Sequence, residues 1–129
     1  MRRSPTGIFT IVTGFFILAE GIWGLFSPVV FGVLTTNTTH AVIHIILGIT
    51  GIYCGYKEKA LAYCWFLGLL LTIVGVCRFL PGVSDLVIQI FNVNIEVAWL
   101  NIALGLFAMF FAGLGRRKKL LVPDEGVVA

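Results

Sequence analysis

Four segments of this chain are long and apolar enough to cross a bilayer, and they leave little room for anything else. A helix rising about 1.5 Å per residue needs roughly 20 apolar residues to traverse a hydrocarbon core about 30 Å thick. Such segments run from about Gly7 to Phe26, His40 to Tyr56, Ala60 to Leu80 and Glu96 to Leu114. They take up most of the 129 residues, so no extramembrane domain is expected. Only 12% of the chain is charged and 59% is hydrophobic, whereas soluble domains average about 25% charged. The net charge of +3 sits in short clusters, with no basic face to track a phosphate backbone. An ordinary soluble enzyme, a disordered regulator and a nucleic-acid-binding domain are all excluded. The expected fold is all-α, a polytopic membrane protein of four transmembrane helices.

Lysine and arginine set the expected orientation, because cytoplasmic loops carry an excess of both. Arg2 and Arg3 precede the first span, Lys57 and Lys59 flank the turn between the second and third, and Arg116 to Lys119 follow the fourth. Eight of the nine basic residues thus fall on one face, with Arg78 alone on the other. Both termini are expected in the cytoplasm, with a bacterial inner membrane as the setting and a short mobile tail from Leu120 onward. The first span has the basic start of a secretory leader, but its length, Glu20 and the lack of a clean cleavage site favour a retained helix. The outer loops, 27–39 and 81–95, are unusually apolar. In the second, Val83, Val87, Ile90 and Phe91 form one stripe of a short surface helix, with a strand-like segment as the alternative.

The chain also reads as two copies of one helical hairpin, about 7–56 and 60–115. Gly14 to Gly21 matches Gly68 to Gly75 at an offset of 54, and His44 to Gly48 matches Asn101 to Gly105 at 57. Asn37 matches Asn94 at the same offset of 57, and a proline closes the first helix of each copy. Two spans per copy return the chain to its starting side, which implies a parallel repeat about an axis along the membrane normal. His44, Gly48, Gly51 and Gly55 share one stripe of the second span, matched by Asn101, Gly105, Ala108 and Ala112 on the fourth. Together with Gly14, Gly21, Gly68 and Gly75 they are expected to form close-packed seams, since small residues let helix backbones approach in lipid.

These features resemble a family of bacterial four-helix membrane proteins catalogued as domain of unknown function 4383. The likeness rests on the hairpin repeat, on a Gly-rich first helix followed by Pro (repeated at 74–82), and on the spacing of Asn37, His44 and Gly48. It extends from about Gly7 to Gly115; Asn101 stands where the family's second copy has His. The resemblance implies no activity and no cofactor.

Ionisable groups inside spans are functional candidates by default. Glu20, His44, Arg78 and Asn101 fall in one layer of the outer leaflet, one from each span, with His40 and Glu96 at its edge. One reading is a polar site open to the outside, with Arg78 attracting an anion and Glu20 and His44 exchanging a proton. The preferred reading is an internal network in which Glu20 or Glu96 neutralises Arg78 while His44 and Asn101 bond across helices. His40 and His44 lie one turn apart, a spacing that suits a shared metal or haem, but no further ligands accompany them. Cys54, Cys64 and Cys77 form no Cys-x-x-Cys pair and read as buried thiols. No phosphate loop, Ser/His/Asp motif or His-Glu-x-x-His site occurs.

The expectation is therefore a membrane protein without catalytic chemistry, cofactor or metal. It would serve as a structural or accessory subunit among other membrane subunits or copies of itself. A small channel or carrier for protons or a small solute is the alternative, and a membrane enzyme using Glu20 and His44 as acid and base comes third.

Overall fold

The computed structural model describes residues 4–121. Residues 1–3, with the Arg2 and Arg3 of the charge argument, and the tail from Val122 onward lie outside the described residues. Helix α1 spans Pro5–Phe26. The hydroxyl of Ser4 accepts a hydrogen bond from Gly7 N at 3.0 Å, and Pro5 occupies the first turn, where its missing N–H costs nothing. Extended Ser27 ends α1, and Pro28 cannot continue it.

A feature absent from the sequence reading follows, a small antiparallel hairpin of β1 (Val29–Val30) and β2 (Leu34–Thr35). Phe31 and Gly32, with φ of 56° and 75°, form its turn. Two successive positive φ values match the primed turns whose twist suits a hairpin. Phe31 is an uncommon residue for this conformation. Its ring stacks on Phe16 and meets Trp23 edge-on, both on α1.

Helix α2 spans Thr38–Tyr56 and α3 spans Ala60–Cys77. Helix α3 stops short of the expected Leu80 because residues 78–80 close as turns, Phe79 N donating to Val76 O and Leu80 N to Cys77 O. Helix α4 (Val83–Phe91) is the helical outcome of the two alternatives for the second loop. Of its expected stripe, Val87 is buried, Phe91 half-buried, and Val83 and Ile90 are exposed. Helix α5 runs Ile95–Leu121, so Arg116, Arg117 and Lys118 lie on its last turns rather than beyond it. Among the described residues, four of the five helices, α1, α2, α3 and α5, are long and apolar enough to cross a membrane.

The helices pack as two close pairs, α1 with α2 and α3 with α5. Glycines set the closeness. A Cβ on Gly48 would sit 2.6 Å from Leu18 N and 2.8 Å from Gly14 O. On Gly105 it would meet the Thr72 hydroxyl and lie 2.8 Å from Gly68 O. Gly21 abuts Ala41 O, Gly55 abuts Ile11, and Gly75 abuts Ala98 O. Gly51 differs from its stripe neighbours: it makes room for the Tyr63 ring, whose hydroxyl donates to Leu47 O at 2.6 Å and ties α3 to α2.

Between the pairs, Ile17, Leu47, Tyr63, Leu67, Leu71 and Ala108 form the central core. A second cluster, including Val30, Leu34, Val87 and Val97, seats the hairpin and α4 on the bundle. At the opposite end, Thr6 donates to Phe111 O at 2.8 Å and Thr10 lies 3.1 Å from the buried Cys64 thiol. All three cysteines are free. Ile46, Phe66, Ile73, Leu106 and Phe110 are among the large apolar side chains that point outward, the surface a lipid-facing bundle presents.

Candidate functional site

The polar groups concentrate where the hairpin and α4 cap the bundle. Asn37 and Asn94 each cap a helix. Asn37 Oδ1 accepts from His40 N and Asn94 Oδ1 from Val97 N, both at 2.9 Å, as asparagine does at helix starts. Each amide nitrogen then reaches the other loop: Asn37 donates to Ile90 O at 2.9 Å and Asn94 to Val33 O at 2.7 Å. Thr35 strengthens the stitching, donating to Asn92 O at 2.6 Å and accepting from Asn94 N at 3.0 Å. Asn92, left-handed at φ 51° past the end of α4, donates to Thr36 O at 2.8 Å.

Beneath this cap runs a chain of buried polar side chains. Glu20 Oε2 lies 3.5 Å from His44 Nδ1. His44 Nε2 lies 2.9 Å from His40 Nε2, and His40 Nδ1 lies 3.1 Å from Phe91 O. The rings of the two histidines meet edge to face. The three side chains are 7 to 8% exposed.

The end of this chain fixes its protons. A carbonyl oxygen only accepts, so His40 Nδ1 carries hydrogen and donates to Phe91 O. Neutral His40 then offers a lone pair at Nε2, and His44 Nε2 must be the donor. One proton remains to be shared between Glu20 and His44 Nδ1, as a neutral carboxyl and imidazole or as an ion pair. Because the chain terminates on a backbone carbonyl, which has no proton to pass on, it links α1, α2 and the end of α4 without forming a continuous relay.

The four residues expected in one polar layer therefore separate. The structure brings Glu20 and His44 together and adds His40, which the sequence placed only at the edge. Arg78 lies apart: its Nε donates to Val93 O at 2.7 Å and its Nη1 to Ser84 Oγ at 3.0 Å. Among the described residues the Glu20–His44 contact is the one ion-pair geometry, so neither Glu20 nor the exposed Glu96 neutralises Arg78. Asn101 does not bond to His44 but faces it and His40 across a cavity of about 80 Å³. A smaller void of about 10 Å³ beside Glu20, His40 and His44 is close to the volume of a single water site.

In the His40–His44 pair the two Nε2 atoms bond directly to each other. Among the described residues no three His, Cys, Asp or Glu side chains are grouped to hold a metal ion. The sequence signal for the cap was available in Asn37 and Asn94, each an amide just before an apolar helix. What it could not give was the reach of each amide into the other loop.

No curated protein and no solved structure matches the chain. A family model does match residues 28–114, from the hairpin through most of α5, including His40, His44, Arg78 and Asn101. The protein thus belongs to the family described as Domain of unknown function (DUF4383).

Proposed function

We propose that this protein is a non-catalytic structural or accessory subunit of the bacterial inner membrane, assembled with other membrane subunits or with itself. Both termini face the cytoplasm and the hairpin and α4 face outward, in two parallel copies of one helical hairpin. The observation that carries the reading is that the ionisable side chains Glu20, His44, His40 and Arg78 are spent on holding helices and loops together. Glu20, His44 and His40 form one chain ending on Phe91 O, and Arg78 is taken up by Val93 O and Ser84. Interhelical hydrogen bonds of this kind contribute about 0.6 to 2 kcal/mol each in membranes.

The deciding experiment is mild-detergent purification from the native membrane followed by native mass spectrometry. Stoichiometric larger subunits, or a defined homo-oligomer, support the proposal; a monomer with no partner in cross-linked membranes would falsify it. The presence of ionisable Glu20 and His44 inside the spans, rather than their chain, which ends on Phe91 O, supports a second reading, a small channel or carrier for protons or a small solute. That reading requires pH-responsive flux into liposomes that disappears when Glu20 and His44 are both replaced. Flux absent under every gradient removes it.

A further inference from the structure

Among the described residues, Asn101 is a buried polar side chain with no protein hydrogen-bond partner, and a cavity lies beside it. Asn101 is 3% exposed, and among the described residues no hydrogen bond reaches its amide. Its atoms are not sealed in, unlike the Thr72 hydroxyl, which is enclosed and unpaired. They face a volume of about 80 Å³, several times the roughly 10 to 15 Å³ that a single water site needs.

The repeat explains the vacancy. His44 in the first copy has Glu20 against it. At the matching offsets, Asn101 has Val74, which lines the cavity. An amide therefore faces a methyl group where its counterpart faces a carboxyl, and the space between them is unfilled.

The walls define the ligand. Leu47, Leu71 and Val74 are apolar, and the imidazole nitrogens of His40 and His44 are already engaged, Nε2 with Nε2, His40 Nδ1 with Phe91 O and His44 Nδ1 with Glu20. A charged head group would find no counterion free of a partner there, His44 being matched to Glu20, whereas a neutral oxygen could both give and take a hydrogen bond at the Asn101 amide. The half-buried members of the wall, Ile43, Leu70, Val74 and Phe91, mark its open side, between α2 and α3 beneath α4. With α2 and α3 as membrane spans, an opening between them gives onto hydrocarbon.

We infer that this cavity is a binding site for a bilayer-dissolved aliphatic molecule carrying one neutral hydroxyl or carbonyl group, which Asn101 recognises and Leu70 admits. The inference does not rest on the accessory role. The test is photolabelling of the full chain in phosphatidylcholine vesicles with a diazirine-bearing octanol, the adducts being mapped by mass spectrometry. Adducts are expected around Ile43, Leu70 and Phe91, displaced by octanol but not by octane.

Asn101→Leu fills a similar volume without the amide. It should lower these adducts roughly five- to tenfold, the ratio that one neutral hydrogen bond sets, and leave labelling of outward-facing Leu106 and Phe110 unchanged. Leu70→Trp should abolish cavity labelling by closing the opening. Circular dichroism of both variants confirms that they remain folded. Labelling spread evenly over the apolar surface overturns the inference. Equal displacement by octane, or cavity labelling indifferent to both substitutions, does so too.

Discussion

His44 is gripped from both sides, by Glu20 at 3.5 Å and by His40 at 2.9 Å, so its removal strands two buried polar groups at once. A buried group left without its partner costs about 1 to 3 kcal/mol. His44→Leu should therefore destabilise the protein by about 2 to 4 kcal/mol, read from unfolding by a denaturing detergent in mixed micelles. Glu20→Gln should cost less, about 1 kcal/mol, because a glutamine amide can still donate to His44 Nδ1. If the carboxyl served transport alone, Glu20→Gln would leave stability unchanged, and the structural account of the chain would fail. The sequence marked Glu20 and His44 through their rarity inside apolar spans. It could not reveal that His40 joins them, since that depends on the Phe91 carbonyl, supplied from another loop and 51 residues distant.

Pairs of helices are where the glycine pattern becomes energetic. Burial of apolar surface does not drive helices together in lipid, so close backbone contact must. At Gly48 a Cβ would fall 2.6 Å from Leu18 N, and backbone cannot yield as a flexible side chain can. Gly48→Ala should push α1 from α2 at a cost of about 1 to 3 kcal/mol. Gly113, with nothing within 4 Å of the added carbon, is the matched control: Gly113→Ala should be neutral or slightly stabilising. Equal effects at the two positions in the same unfolding assay would contradict the seam. The turn between α2 and α3 offers the opposite sign. Glu58 sits there at φ 59°, one residue before Lys59 N donates to Cys54 O at 2.8 Å, a helix end that favours glycine. Glu58→Gly should stabilise by about 0.5 to 1 kcal/mol, by relieving the left-handed strain on a side-chain-bearing residue. At this scale the sequence was legible where periodicity speaks: four spans, glycine seams, a short helix in the second loop. The hairpin was not, because its turn is Phe31-Gly32, without the Asn-Gly or Asp-Gly signal that announces such turns. Only the packing of Phe31 on Phe16 and Trp23 accounts for that choice.

The whole molecule has two chemically different ends, and that difference carries the orientation. Thr6 of α1 bonds to Phe111 of α5, and Gly7 lies beside Gly55 O near the end of α2. The start of α1 therefore shares an end with the Lys57–Lys59 turn and the basic last turns of α5. The opposite end holds Asp85, Glu96 and one basic residue, Arg78, whose guanidinium is already engaged by Val93 O and Ser84 Oγ. Basic residues in short loops near span ends are retained on the cytoplasmic side, whereas acidic ones contribute little. The hairpin and α4 should then lie outside. Single cysteines introduced as Asp85→Cys, in the first turn of α4, and Glu58→Cys, in the α2–α3 turn, test this in intact cells with a membrane-impermeant maleimide. Asp85→Cys should label at once; Glu58→Cys should label only after the cells are opened, with the native chain as the background for Cys54, Cys64 and Cys77. The reverse pattern would place the Asn37 and Asn94 cap in the cytoplasm. It would require the basic clusters to have crossed the membrane, leaving the charge asymmetry without its physical cause.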